Sequence, residues 1–258
     1  MRLPAISRLL VFPALLLAAW SLGASLTDPL LVPSPVATWQ SLAALASAGD
    51  LWIELAISIR RVLSGVLIGA LVGVPFGVAL GAFRGVDRYL GAALPAVSAT
   101  SSAIWAVLGV LWFGLSDVAT VFVVAMTAAP LFAVNARDGV KAVDADLIQM
   151  GRSMGYSPLQ VARKILLPSV LPSLFAGTRL AVGFGWRVGL VAEALGSPTG
   201  VGFRLKQAVD LMHTAEVFAW SVSVILIMLV IEGLVLNRVE ARCFRWRKPA
   251  GASGPVAA

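Results

Sequence analysis

The chain has 258 residues, of which 59% are hydrophobic and only 13% are charged, and its mean hydropathy is +0.91. Soluble domains are about 45–50% apolar and about 25% charged, so this composition excludes an ordinary soluble domain and indicates an integral membrane protein. The net charge of +7 therefore fits basic cytoplasmic loops better than nucleic-acid binding, and one cysteine (Cys243) and one histidine (His213) exclude disulfides and His/Cys metal clusters within the chain.

The first apolar segment covers residues 9–26 and follows two arginines. Small residues at 23–25 fit a cleaved signal peptide, and an uncleaved membrane helix with its N-terminus inside fits equally well. We favour the membrane helix because five further spans follow. The prolines from Pro29 to Pro35 then predict an extended stretch, and the sequence up to Asp50 predicts a short amphipathic helix on the outer surface.

Residues 51–83 are too many for one simple crossing of the membrane. The first part of this segment carries Glu54, Arg60 and Arg61 and is expected to start at or above the outer interface. From Gly65 to Gly81 a glycine recurs every four residues, which forms a ridge that a neighbouring helix backbone can approach closely. We interpret this ridge as a packing surface rather than a ligand site.

Four more spans are predicted at residues 89–113, 118–134, from Pro172 to about 195, and 217–236. The fold class predicted is an all-α integral membrane protein with about six transmembrane helices. The third span contains a polar patch whose hydroxyl groups need partners inside a membrane, formed by Ser98, Thr100, Ser101 and Ser102. Residues 196–216 form a polar excursion, and the basic tail from 238 to 258 is predicted to be disordered and cytoplasmic.

The distribution of basic residues predicts the orientation of the chain. With the N-terminus inside, 14 of the 20 Lys and Arg residues fall in cytoplasmic segments, and the last outer excursion holds only Arg204 and Lys206. Cytoplasmic loops carry the excess of Lys and Arg, so both termini are predicted to be cytoplasmic. This orientation also places residues 144–172 inside the cell.

Residues 144–172 form the longest amphipathic segment of the chain. Asp144 can cap a first helix, Gly155 can adopt the left-handed conformation that ends it, and Ser157 with Pro158 can start a second helix. The segment therefore predicts a pair of short helices, hinged at Gly155, that fits a groove of a cytosolic protein. The alternative is an amphipathic helix that lies on the inner leaflet and is held there by its basic side chains.

The spacing of glycine, isoleucine, leucine and proline in this segment is G-x9-I-x-L-P. It resembles the cytoplasmic loop E-A-A-x-x-x-G-x9-I-x-L-P of permease subunits of binding-protein-dependent ABC importers. This chain differs from the motif at the E-A-A positions, where it has Gln, Met and Gly. The resemblance implies that the following positions couple the chain to an ATPase: Gln149, Met150, Gly151, Gly155, Ile165, Leu167 and Pro168.

Three other stretches resemble the nitrate/sulfonate/taurine branch of these permeases: LVPSP at residues 31–35, LWFGL at 111–115 and VAE at 191–193. Together with the loop, the resemblance covers most of residues 30–235. It implies a small oxyanion such as a sulfonate, taurine or nitrate as the substrate. The branch commonly has prolines where this chain has residues 100–102, so a neutral heterocycle such as a pyrimidine vitamin precursor stays open.

The resemblance implies a single transmembrane permease domain over residues 1–258, with the first span and outer segment at 1–50, the five-helix core at 51–237 and the tail at 238–258. It would lie in the bacterial inner membrane, pair with a second permease as a homodimer or heterodimer, and need no cofactor. A dimer of cytosolic ATP-binding subunits and an extracytoplasmic solute-binding protein would complete the importer. The chain has no G-x-x-x-x-G-K-[ST] sequence, so a partner must hydrolyse ATP.

Two other functions are alternatives to an ABC permease: a membrane-embedded enzyme and a secondary transporter. A membrane-embedded enzyme needs a cluster of His, Asp or Glu within its spans, and the sequence offers only scattered acids there. A secondary transporter would not co-purify with an ATP-binding subunit.

The fifth predicted span suggests a translocation path. Arg179, Trp186 and Glu193 are seven residues apart and so share one face of a helix. Ionisable groups in a membrane helix usually face a cavity or one another. We expect Arg179 to reach the inner interface instead. The residues predicted to border the path are Ser101, Trp105, Trp186, Arg187 and Glu193.

Overall fold

The structure, a computed structural model, describes residues 5–28 and 30–243, and every regular element within them is helical. The α-helices of this part of the chain are α1 (Ala5–Leu26), α2 (Pro35–Ala48), α3 (Asp50–Ala82), α4 (Arg84–Leu90), α5 (Ala93–Ala99), α6 (Ser102–Phe113), α7 (Asp117–Lys141), α8 (Ala145–Ser153), α9 (Pro158–Val161), α10 (Leu167–Gly196), α11 (Val201–Asp210), α12 (Thr214–Val230) and α13 (Asn237–Cys243). Two π-helical turns join neighbouring helices, Ala162–Leu166 between α9 and α10 and Ile231–Leu236 between α12 and α13.

Four helical segments are long and apolar enough to cross a membrane: Asp50–Ala82, Asp117–Lys141, Pro158–Gly196 and Thr214–Arg242. The pair α5 and α6 makes a fifth if it is counted as one broken span, and the apolar part of α1, Pro13–Leu26, is shorter. The all-α membrane fold is therefore confirmed, while the count of six spans stays a prediction.

The predicted disorder of the tail is wrong for residues 238–243, which are helical, and residues 244–258 lie outside the described residues.

The predicted third span, residues 89–113, is divided among three shorter helices, so it stays a prediction as one broken span. Ser101 has an extended backbone (φ −61°, ψ 136°) and caps α6, and its hydroxyl accepts a hydrogen bond from the amide of Ala103. Such a cap begins a new helix and cannot sit inside an existing one. The Ser98 hydroxyl donates to the Leu94 carbonyl (2.9 Å), so local backbone contacts satisfy part of the polar patch.

The chain divides into two compact units. The first contains the described residues up to 67, residues 100–126 and residues 185–227, and the second contains residues 68–99, 127–184 and the described residues from 228 onward.

In the first unit, helices from distant parts of the sequence share one core. Its buried residues come from α2, α3, α11 and α12, and Trp220 and Val201 are completely buried in it. Trp20 attaches α1 to this unit by stacking on Phe218 at 5.7 Å, and its indole N–H donates to the Pro33 carbonyl (3.1 Å).

In the second unit, the glycine ridge of α3 packs against α7. A β-carbon added at Gly73 or Gly77 would lie 2.2 Å from the carbonyl oxygen of Ala129 or Ala133. The helices can approach this closely only because these positions have no side chain. Both glycines therefore confirm the interpretation of the ridge as a packing surface.

Candidate functional site

The segment that follows α7 forms a helical hairpin, which we call the coupling hairpin (residues 144–167). Asp144 caps α8, and its carboxylate accepts a hydrogen bond from the amide of Asp146 (2.9 Å). Helix α8 ends at Ser153, and Gly155 then adopts the left-handed conformation (φ +78°). The cap and the glycine turn are where the sequence places them.

The second arm of the coupling hairpin begins with a capping box. Ser157 accepts a hydrogen bond from the Gln160 amide (3.3 Å), and the Gln160 side chain accepts one from the Ser157 amide (2.8 Å). This arm is not a separate short helix, which corrects the prediction of a helix pair. It passes through the π-helical turn, where the Leu167 amide bonds to the Ala162 carbonyl, and continues into α10.

Two of the predicted coupling positions touch each other across the hairpin. Gly151 is buried, and a β-carbon added there would lie 2.6 Å from the Cδ1 atom of Ile165. The Gly151 carbonyl also accepts a hydrogen bond from the Tyr156 amide (3.1 Å), and the Lys164 amine lies 4.7 Å from the Tyr156 ring centre. The contacts of Gly151 therefore close the hairpin, whereas Gln149 is exposed.

An exposed apolar stripe, of which sequence reasoning singled out only Met150, runs along α8 to the residue that caps its C-terminal end. Leu147, Met150 and Met154 are 45%, 54% and 64% exposed. Their spacing of three and four residues puts them on one face of the helix. Leu159, which is 68% exposed, follows on the second arm. The signal was present as apolar residues at helical spacing within an otherwise polar segment.

An ion cluster in the second unit was also missed. Asp87 on α4 bonds to Lys141 (2.5 Å) and to Arg137 (2.6 Å), both near the end of α7. The hydrogen bond from Lys141 lowers the pKa of the Asp87 carboxyl below its ordinary value, against the opposing effect of partial burial, and Arg137 lowers it further. The cluster ties the polar turn after α3 to α7.

The residues predicted to border a translocation path differ in how far they are exposed. Ser101 and Trp105 lie one turn apart on α6, and the Trp105 ring contacts Phe122 at 6.1 Å. Arg187 is exposed, whereas Trp186 and Glu193 are 2% and 1% exposed. Arg179 pairs with Glu232 (3.7 Å) and Glu240 (3.4 Å) in the second unit.

Glu193 belongs to a buried network of charged residues in the first unit. Its carboxylate accepts hydrogen bonds from Ser58 (2.8 Å), Arg61 (3.1 Å) and the Gly202 amide (3.0 Å). Arg61 is itself 1% exposed. Sequence reasoning placed Arg61 at the interface and missed the network, although Glu54, Ser58 and Arg61 recur at helical spacing within an apolar helix.

Comparison with known proteins places these features in a family. Residues 65–242 match the family described as "Binding-protein-dependent transport system inner membrane component". The chain is similar to the aliphatic sulfonates transport permease SsuC of Escherichia coli, at 34% identity over 205 residues, which cover 78% of each chain. It is also similar to the taurine transport system permease TauC of Escherichia coli, at 28% identity, and to the riboflavin transport system permease RibX of Chloroflexus aurantiacus, at 31% identity. Both matches cover 90% of this chain and 87% of the relative.

Among solved structures, the fold is similar to a chain of the inward-facing MetNI methionine ABC transporter. The TM-score is 0.66 at 20% identity, over 75% of this chain and 96% of that chain. At this identity the likeness shows the fold alone. The relatives are named as transport permeases, which confirms the prediction of a transport subunit rather than an enzyme. The chain therefore belongs to the family of inner-membrane components of binding-protein-dependent transport systems, the membrane subunits of ABC importers.

Proposed function

We propose that this chain forms the translocation path of an ATP-driven importer and that its coupling hairpin docks on a cytosolic ATP-binding subunit. The observation that carries the proposal is the exposed apolar stripe of α8. Leu147, Met150 and Met154 lie on a polar loop segment between two apolar helices. Exposed apolar residues on such a segment favour burial against a protein partner over contact with water.

The structure of the coupling hairpin supports a mechanical role. Its second arm is continuous with α10, so a displacement of α8 is transmitted to the start of a long membrane helix. Gly151 and Ile165 pack against each other and hold the two arms as one body. Closure of a pair of ATPase subunits would move two such hairpins together, which is the alternating-access mechanism that we propose.

A small organic oxyanion is the substrate class that we favour. The similarity to sulfonate and taurine permeases supports this choice, and exposed Arg187 supplies a cation. A neutral heterocycle is the second candidate, because RibX is similar over almost the whole chain and residues 100–102 replace the prolines common in the sulfonate branch. Uptake of labelled taurine or riboflavin by proteoliposomes that contain the full importer distinguishes the two.

We also propose where the chain lies and what it assembles with, from the family resemblance and the distribution of basic residues. We place the chain in the bacterial inner membrane as one permease domain with both termini in the cytoplasm, paired with a second copy and supplied by an extracytoplasmic binding protein. Ser101, Trp105 and Arg187 remain our candidates for the path. Trp186 and Glu193 are too buried to border an open path in this conformation. Arg187→Ala should reduce transport at equal expression, and transport equal to wild type would exclude the role of Arg187.

Docking is tested by adding one negative charge to the apolar stripe. Met150→Asp and Met154→Asp should each weaken co-purification with the ATP-binding subunit at least tenfold, because an unpaired carboxylate would enter an apolar interface. Ser153→Asp adds the same charge to another face of α8 and should retain binding. Equal binding by all three variants would show that the stripe is not the docking surface.

A further inference from the structure

The N-terminal end of α11 is held by side chains from other helices. Three successive backbone amides, those of Gly200, Val201 and Gly202, donate respectively to Glu54 (2.6 Å), the Ser58 hydroxyl (2.9 Å) and Glu193 (3.0 Å). The first amides of a helix have no partner within the helix and carry positive partial charge. Two carboxylates and a hydroxyl on α3 and α10 supply those partners here. They anchor α11 within the first unit.

Arg61 fastens the loop that precedes α11. One guanidinium nitrogen donates to Glu193 (3.1 Å) and to the Thr199 carbonyl (2.7 Å), and the other donates to the Thr199 hydroxyl (2.7 Å) and to Asp117. A guanidinium can hold several acceptors in a fixed geometry, which an ammonium group does not do. Arg61 therefore joins α3, the start of α7, the end of α10 and the loop at one point.

The backbone at the start of α11 packs closely against α10. Gly200 has φ +101°, and a β-carbon added there would lie 2.5 Å from the Glu193 carboxyl carbon. A β-carbon at Gly202 would lie 2.2 Å from the Leu190 carbonyl oxygen. On α11, Arg204 donates to Glu54 (2.8 Å). The carboxylates of Glu54 and Glu193 therefore each have both a cation and a backbone amide as partners.

We propose that Glu54, Arg61 and Glu193 are positioning residues that lock α11 to the outer part of α3, the start of α7 and the end of α10. These parts of the first unit then move as one rigid body in every step of transport. Separation would leave the buried charges of Arg61 and Glu193 without partners, which is far more costly than keeping them together. The role in transport rests on the proposed function, whereas the lock itself does not.

A reversible cross-link tests whether the locked parts separate. The hydroxyl oxygens of Thr120 on α7 and Ser197 after α10 are 2.9 Å apart and buried. Cysteine sulfurs at these two positions would take the place of oxygens that already lie in contact, which favours a disulfide between them. Thr120→Cys with Ser197→Cys, in a Cys243→Ser background, should transport at the wild-type rate after oxidation and after reduction. Loss of transport on oxidation that a thiol reductant restores would overturn the rigid-body proposal.

Hydrogen exchange of the purified permease tests the lock without any transport assay. In Glu193→Gln and Glu54→Gln, amides of residues 199–205 should exchange at least tenfold faster, while amides of α12 keep their rates. Arg60→Ala is the matched control, because Arg60 is 67% exposed and pairs only at the surface with Asp117. Unchanged exchange at 199–205, or equal acceleration in α12, would overturn the lock. Failure of the importer assignment alone would leave this result unaffected.

Discussion

Replacing Gly151 by alanine has two effects on the stability of the coupling hairpin, and they have opposite signs. A glycine inside a helix is less favourable than alanine by up to about 1 kcal/mol. An alanine at position 151 would nevertheless place its β-carbon 2.6 Å from the Cδ1 atom of Ile165. The end of an isoleucine side chain can rotate away, at a cost of about 0.5–1.5 kcal/mol. The two effects nearly cancel.

Gly151→Ala alone should therefore change the stability of the coupling hairpin by less than about 0.5 kcal/mol. In an Ile165→Val background the obstructing methyl group is gone, and the same substitution should stabilise α8 by up to about 1 kcal/mol. Hydrogen exchange of α8 amides in the four proteins of the cycle measures both effects. A large loss from the single substitution would show that Ile165 cannot move.

Asp87 makes the ion cluster of the second unit sensitive to acid. Its pKa is lowered in the folded protein, so the cluster stabilises the fold at pH values above the ordinary Asp pKa of about 4 and loses that contribution as the pH falls through the lowered folded value. We expect α4 to become more susceptible to proteolysis below about pH 4 in wild type. Asp87→Asn should show the same susceptibility at pH 7 and lose the pH dependence. Asp138→Asn, at an exposed site on α7, should behave as wild type.

At the scale of helices, the contact of α3 with α7 in the second unit depends on backbone approach. A β-carbon at Gly77 would lie 2.2 Å from the Ala133 carbonyl oxygen and 2.7 Å from its α-carbon. Backbone atoms cannot rotate aside as a side chain can. Gly77→Ala should therefore destabilise the protein by about 1–3 kcal/mol, seen as a lower unfolding temperature in detergent. Gly85→Ala, in helix α4 where the added carbon meets open space, should leave that temperature unchanged or raise it slightly.

The sequence predicts best the caps and turns that depend on residues close together in the chain. Asp144, Gly155 and Ser157 act on amides within a few residues, so their caps and turn are found where the sequence indicates them. The continuity of the hairpin with α10 was missed because the fifth span was predicted to begin only after Pro168. The π-helical turn before it shifts the hydrogen bonds by one residue, and the helix continues through the proline.

The buried network was beyond sequence reasoning for a different reason. Arg61 and Glu193 are 132 positions apart, and only the packing of α3 against the end of α10 brings them together. Neither residue alone distinguishes an interfacial charge from a buried one. Family resemblance predicted a coupling role for residues 144–172, and no comparable pattern marked the network.

At the scale of the whole molecule, orientation follows from charge rather than from hydropathy. The length of an apolar helix identifies a candidate span, but it does not show which end of that span is cytoplasmic. The 14 basic residues assigned to the inner side against two in the last outer excursion favour cytoplasmic termini and a cytoplasmic coupling hairpin. The part of the candidate span Pro158–Gly196 that follows the coupling hairpin lies between the Gly155 turn and the turn after α11, so these two turns should face opposite sides of the membrane.

Two single-cysteine variants test this orientation. In a Cys243→Ser background, Met154→Cys and His213→Cys replace side chains that are 64% and 60% exposed, so their intrinsic reactivities are matched. A membrane-impermeant maleimide should label position 213 in intact cells and position 154 only after permeabilisation. The reverse pattern would place the coupling hairpin outside, where no ATP-binding subunit can reach it. Labelling of both positions in intact cells would contradict a membrane crossing between them, and with it the assignment of α10 as a span.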